Sequence, residues 1–149
     1  MNALHNALQL YYRTSSLPAL ASPVLDASLR LFLASAFFRS GLTKIQNWDS
    51  TLYLFREEYR VPLLPPDFAA CLGTGAELAF PVLLALGLFG RFAALGLSIL
   101  NAVAAYSYYD QLGEAGLNQH LYWGLLLAAL LVHGPGKWSL DAWLEQRCR

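Results

Sequence analysis

The chain has 149 residues, 56% of them hydrophobic and only 13% charged, with a mean hydropathy of +0.39. Ten basic and ten acidic residues cancel to a formal net charge of zero, so the electrostatic footprint of a nucleic-acid binder is missing. Soluble domains carry about 25% charged residues. This chain has too little polar surface to coat a water-soluble globule, and reads instead as a single all-α membrane domain over residues 1–149.

In chain order, Leu4, Ala7, Leu8, Tyr11 and Tyr12 follow helical spacing, which suits a short helix lying on a membrane surface. The segment HNALQLYYRTSSLP lacks a basic start and a continuous apolar core, so ALASP at 19–23 is not expected to be a signal-cleavage site. A membrane crossing needs about 20 mostly apolar residues. Four segments fit: 24–48, 68–89, 91–109 and 117–133. The breaks between them follow backbone chemistry. VPLLPP at 61–66 cannot be helical throughout. Gly87 and Gly90 mark a tight turn, LGEAG at 112–116 a second, and GPG at 134–136 closes the last span. Trp138, Leu140, Trp143 and Leu144 then give an apolar stripe behind Ser139, a candidate cap, for an interfacial helix at 138–147. The expected fold is an antiparallel four-helix membrane bundle with interfacial helices at both termini.

Four crossings place both termini on one side. That side carries Arg13, Arg91, Lys137, Arg147 and Arg149, against Lys44, Arg56 and Arg60 opposite. The positive-inside rule then puts the termini in the cytoplasm, for a bacterial inner-membrane protein. Cys71 and Cys148 fall on opposite sides and form no CxxC, so neither an internal disulfide nor a metal site is expected.

Arg39 lies deep in the first predicted span. A charge at the centre of a membrane helix costs about 2.5–3.5 kcal/mol on insertion scales, so it needs a partner. Glu77 is the acidic residue inside the second span. Arg39 is nine residues before Trp48 and Glu77 nine after Phe68, so both lie about 13 Å below the outer boundary. Asn101 shares that level. The face centred on Arg39 carries Ser28, Phe32, Ser35, Ala36, Thr43 and Gln46, the small and polar residues that helix contacts in lipid use. An Arg39–Glu77–Asn101 layer inside the bundle is therefore expected, with His120 and Trp123 near its outer end. Such a layer either locks helix order or forms a ligand or proton site. Arg30 and Lys44 point away from Arg39 and read as local or structural ion-pair residues, with Asp26 or Asp141 within reach of Arg30. His120 and His133 lie on nearly opposite faces, which argues against a shared haem.

The stretches LRLFLASAFFRSGLTKI (29–45), GAELAFPVLLALGLFGRFAAL (75–95) and HGPGKWSLD (133–141), in this order and spacing, resemble the DoxX family of small four-span membrane proteins. The resemblance marks Arg30, Gly41, Lys44, Glu77, Gly134, Gly136 and Asp141. Many members have a His-Gly pair where this chain has Ser40-Gly41. The family is named from a subunit of a thiosulfate:quinone oxidoreductase, and other members look like partners in membrane redox complexes or in oxidative and metal-stress systems. The resemblance thus implies an accessory redox subunit with a quinone as its ligand, a redox or stress-related protein partner, and self-association as a further option.

Three functions follow from these readings. The first is a quinone-binding subunit, in which Arg39, Glu77, Asn101 and His120, with Tyr122 or Trp123 nearby, supply hydrogen bonds and Glu77 a proton. The second is a transport or assembly module for a small solute. The third is a membrane anchor for a soluble partner.

Overall fold

A computed structural model describes residues 17–148, with side chains from residue 21. The surface helix expected near the N-terminus lies outside the described residues. Six helices and no strands make up the described chain: α1 Leu17–Gln46, α2 Trp48–Glu57, α3 Pro66–Leu86, α4 Gly90–Ser107, α5 Tyr109–His133 and α6 Leu140–Cys148.

Three of them are long and apolar enough to cross a membrane: Ala21–Gln46 within α1, all of α3, and all of α5. The helix at the expected third crossing, α4, is not among these. It has 18 residues, about 27 Å of rise, and includes Arg91, Ser98 and Asn101.

Helix ends follow local chemistry. Pro66 opens α3 at its first turn, where a missing N–H costs nothing. Gly87 closes α3 in the left-handed region at φ 65°, and a Cβ there would collide with Arg30 and Ser139. The segment between the first two expected spans holds a helix of its own. Trp48, Thr51, Leu52 and Phe55 recur at helical spacing and fold as α2, with Trp48, Leu52 and Phe55 packed on Ala69 and Ala70. The turn expected at 112–116 is also displaced. The chain turns at Tyr108, whose ring stacks on Tyr59, and Gly113 (φ 61°, ψ 178°) is a kink inside α5 instead. Ser139 caps α6 as its sequence position implies, accepting from Ala142 N at 3.2 Å.

α1 packs on α3, α3 on α4 and α4 on α5, with a smaller contact between α1 and α5. The core joins Leu33 and Phe37 of α1 to Leu84, Ala93, Ala94, Leu97, Leu127 and Leu130. α1 and α3 approach closely at Gly41, where a Cβ would stand 3.0 Å from Leu78 and 3.1 Å from the Glu77 Cβ. The outer surface is apolar: Leu31, Phe32, Val82, Phe92, Ile99, Leu125 and Val132 are all exposed. An outside this greasy belongs in lipid.

Candidate functional site

The residues that α1 turns inward decide the site. At 100° per residue, Leu33, Ala34, Phe37 and Gly41 form one stripe, and all four are buried. Lys44 follows one turn beyond Gly41. The close approach at Gly41 lets its ammonium reach across to α3. Lys44 Nζ stands 2.6 Å from both carboxylate oxygens of Glu77 and donates to Ser40 Oγ at 3.0 Å. The two side chains are 18% and 10% exposed, so the pair is largely withdrawn from its surroundings. Thr51 Oγ1 donates to Lys44 O at 3.1 Å and ties the start of α2 to the same turn.

The expected Arg39–Glu77 pair is therefore corrected. Glu77 is buried, but its partner is Lys44. Arg39 projects from the opposite side of α1 and is exposed, as are Ser28, Phe32, Ser35, Thr43 and Gln46. The sequence offered two stripes on α1, one small and polar, the other apolar with Gly41 at its centre. Burial of Phe37 and Leu33 outweighs the packing of a serine stripe, so the apolar stripe turns inward.

Asn101 is buried but does not join Glu77. Its Nδ2 donates to His120 O at 2.9 Å, and its Oδ1 lies 2.8 Å from His120 Nδ1. An amide oxygen only accepts, so Nδ1 carries the proton and Nε2 is left as an acceptor. The His120 ring meets Trp123 edge-on at 5.4 Å, and Trp123 packs on Phe37.

These groups surround a cavity of about 650 Å³. Its polar wall is Lys44, Glu77, Ser40, His120 and Ser107, and its apolar wall runs over Phe37, Phe80, Leu100 and Trp123. Arg39 and Asn101 are not in the lining. Leu72, Phe92, Leu95 and Ile99 line the cavity while being exposed on the lipid-facing surface, so its wall continues onto the outside between α3 and α4. The Ser107 hydroxyl is buried in the wall without a hydrogen-bond partner.

Sequence reasoning missed the roof. Phe55, Tyr59 and Tyr108 stack ring on ring, with centroids 4.7 Å apart in each pair. All three line the cavity. The Tyr108 hydroxyl donates to Glu58 Oε2 at 2.8 Å, and that hydrogen bond holds its pKa above the ordinary phenol value. Burial, with the charge of Glu77 second, pushes the Tyr59 phenol up to about 12. The signal was the aromatic spacing Phe55, Tyr59 beside a helix-ending Tyr108, which reads as loop when taken singly.

The ion-pair candidates at the other end serve the main chain. Arg30 is buried at 3% exposure and donates to Ala85 O at 3.3 Å and to Trp138 O. Asp141 does not pair with it at hydrogen-bond distance. Its two oxygens accept from Phe89 N and Gly90 N at 2.8 Å each and so cap the N-terminus of α4. Asp26 accepts from Ser22 Oγ at 3.3 Å. Cys71 and Cys148 are both free and exposed. Among the described residues no cluster of three His, Cys, Asp or Glu side chains could hold a metal ion.

The DoxX family model matches residues 25–110, which run from within α1 through α4 and include Lys44 and Glu77. The chain is also similar to an uncharacterized protein of Haemophilus influenzae, 38% identical over 126 residues that cover 79% of this chain and 82% of the relative. No solved structure matches.

Proposed function

This chain is a membrane protein that belongs to the DoxX family, and from that premise we propose that it binds a lipophilic quinone-type molecule as an accessory subunit of a membrane redox system. The observation that carries the reading is a charge pair exposed to an otherwise apolar cavity of about 650 Å³. Ligand sites are concave and mostly apolar, with a few convergent polar groups that fix orientation. A quinone head suits such a wall. Lys44 donates to one carbonyl oxygen, and the Glu77 carboxylate accepts a proton from a quinol hydroxyl or returns it. The unpartnered Ser107 hydroxyl and His120 Nε2 supply further contacts. The cavity wall continues onto the lipid-facing surface between α3 and α4, so a ligand dissolved in the bilayer reaches the pair without crossing water. The apolar lining gives less support to passage of a hydrophilic solute. The chain carries no flavin, haem or Fe–S signature, so electrons must come from and go to a partner protein.

In this reading α4 also crosses, which makes four crossings in all, α6 lies along the interface with Trp138 and Trp143, and both termini are cytoplasmic in a bacterial inner membrane. The 27 Å rise of α4 is short of the roughly 30 Å hydrocarbon core, but its exposed face is Phe92, Leu95 and Ile99, and α3 and α5 flank it.

The test is lipid extraction of protein purified from its native membrane in mild detergent. Near-stoichiometric quinone is expected with the native chain, and at least tenfold less with Glu77→Gln, about 1.4 kcal/mol of binding. Quinone at background level in the native protein, or equal amounts in both, overturns the proposal.

A further inference from the structure

Arg39 is the charge that the fold leaves over. Every other deep charge has an assignment: Lys44 with Glu77, and Arg30 with the carbonyls of Ala85 and Trp138. Arg39 is exposed, and among the described residues no hydrogen bond or ion pair engages its guanidinium.

Its depth follows from the helix contact on the other side of α1. Gly41 touches Glu77, so the two share one height. Glu77 is eleven residues into α3, about 16 Å from Pro66. Arg39 lies two residues further from that end, about 19 Å below it. In a core of about 30 Å this is close to the midplane. Arg side chains on helices lean toward the helix N-terminus. From Arg39 that direction leads down α1 to the opposite boundary, roughly 11 Å away in a core of about 30 Å and farther than one Arg side chain extends.

We infer that the outward face of α1, Ser28–Ser35–Arg39–Thr43, is the docking surface for a membrane helix of a different protein, one that presents a carboxylate near mid-bilayer. A guanidinium at this depth is tolerated when protein covers it and an anion meets it. The nearest residues suit close helix approach: Ser35 and Thr43 spend their hydroxyls on their own helix, on Phe32 O and Arg39 O, and so present small, satisfied side chains, while the exposed Phe32 ring two turns from Arg39 adds an apolar contact.

A second copy of this chain does not fit. Glu77 is the carboxylate at matching height, and it is buried against Lys44. The remaining acidic residues lie in or beside α2, in the first turns of α3 and α5, in α6, or, as Asp26, 13 residues along α1 from Arg39. A two-fold contact through this face would also bring Arg39 against Arg39, which is repulsive in a low-dielectric surround.

The inference is independent of the cavity's ligand, because this face is on the far side of α1 from the Lys44–Glu77 wall. It is tested in the native membrane with a photo-crosslinking amino acid placed at Ser35 or Thr43, with Ile99 on another outward surface as the control. One heterologous membrane protein is expected to crosslink from both α1 positions and not from Ile99. Its yield should fall about tenfold in Arg39→Leu, recover in Arg39→Lys, and return in Arg39→Glu when a carboxylate in the partner's crosslinked helix is changed to Lys. Adducts with a second copy overturn the inference. So do adducts with lipid alone, or a protein adduct indifferent to residue 39. The Arg39 guanidinium makes no hydrogen bond or ion pair among the described residues, so Arg39→Leu is expected to leave folding intact, as read by unchanged detergent elution and thermal unfolding.

Discussion

The two ends of the helix assembly use the same kinds of residue for opposite purposes. At the end formed by α6 and the α3–α4 turn, Arg30 and Asp141 are spent on backbone: one donates to carbonyls of α3 and of the segment before α6, the other accepts the first N–H groups of α4. At the other end Lys44 and Glu77 are spent on each other, and both face a cavity. Charge on backbone leaves little for a ligand to exchange with, since the main-chain groups cannot leave. Charge on charge beside empty space leaves a pair that a ligand can enter. Buried polarity is therefore no guide to function until its partners are known.

The sharpest way to break that contrast is to remove one half of the cavity pair. Glu77→Leu should cost about 3 kcal/mol in a denaturant-in-detergent titration, because it strands a buried ammonium. The double change Lys44→Met with Glu77→Leu should recover most of that stability and bind no quinone. A double variant as unstable as the single would show that the pair holds the helices together rather than serving a ligand. Next comes the helix approach that makes the pair reachable. Gly41→Leu drives a side chain into Leu78 and the Glu77 stem, with an expected loss of about 2–3 kcal/mol by the same titration. At the opposite end Asp141→Ala removes both caps on α4 and should cost about 1–2 kcal/mol, while quinone content, measured by extraction, stays at the native level. A drop in bound quinone there would erase the distinction between the ends.

The smallest effect is one of pH. The Tyr59 phenol is held at about 12 in the folded chain, above its ordinary value near 10. The raised pKa means that the unfolded chain loses this proton first. The stability it contributes is whole below pH 10 and is lost as pH climbs through 12. Tyrosinate absorbance should thus show one late-titrating group that Tyr59→Phe removes, and the alkaline fall in stability should be shallower in that variant.

Particular residues show how much was legible beforehand. The helices of α1, α3 and α5 stand near the predicted segments because long apolar runs between Pro and Gly breaks leave little choice. Glu77 was singled out for its isolation in an apolar span, and it does sit in the cavity wall. Its partner was misassigned, and the reason is geometric. Arg39 and Lys44 are five residues apart, 140° around the helix. Either could have faced α3, and height alone favoured Arg39. α2 was hidden because its apolar face is only four residues in a polar stretch, and the tyrosine roof because Tyr59 and Tyr108 are 49 positions apart.

The amino-acid order by itself fixed what a one-dimensional pattern can fix: that the chain is apolar beyond an ordinary soluble domain, where its long helices run, and which charges fall within apolar runs. Periodicity and transfer energy act along the chain, so they can be read there. Which stripe of α1 turns inward, that Lys44 rather than Arg39 meets Glu77, and that the three rings of Phe55, Tyr59 and Tyr108 close one cavity were settled only by tertiary packing. Those outcomes turn on the approach of helices at a single glycine and on differences of burial between competing faces, and neither quantity exists until the helices meet.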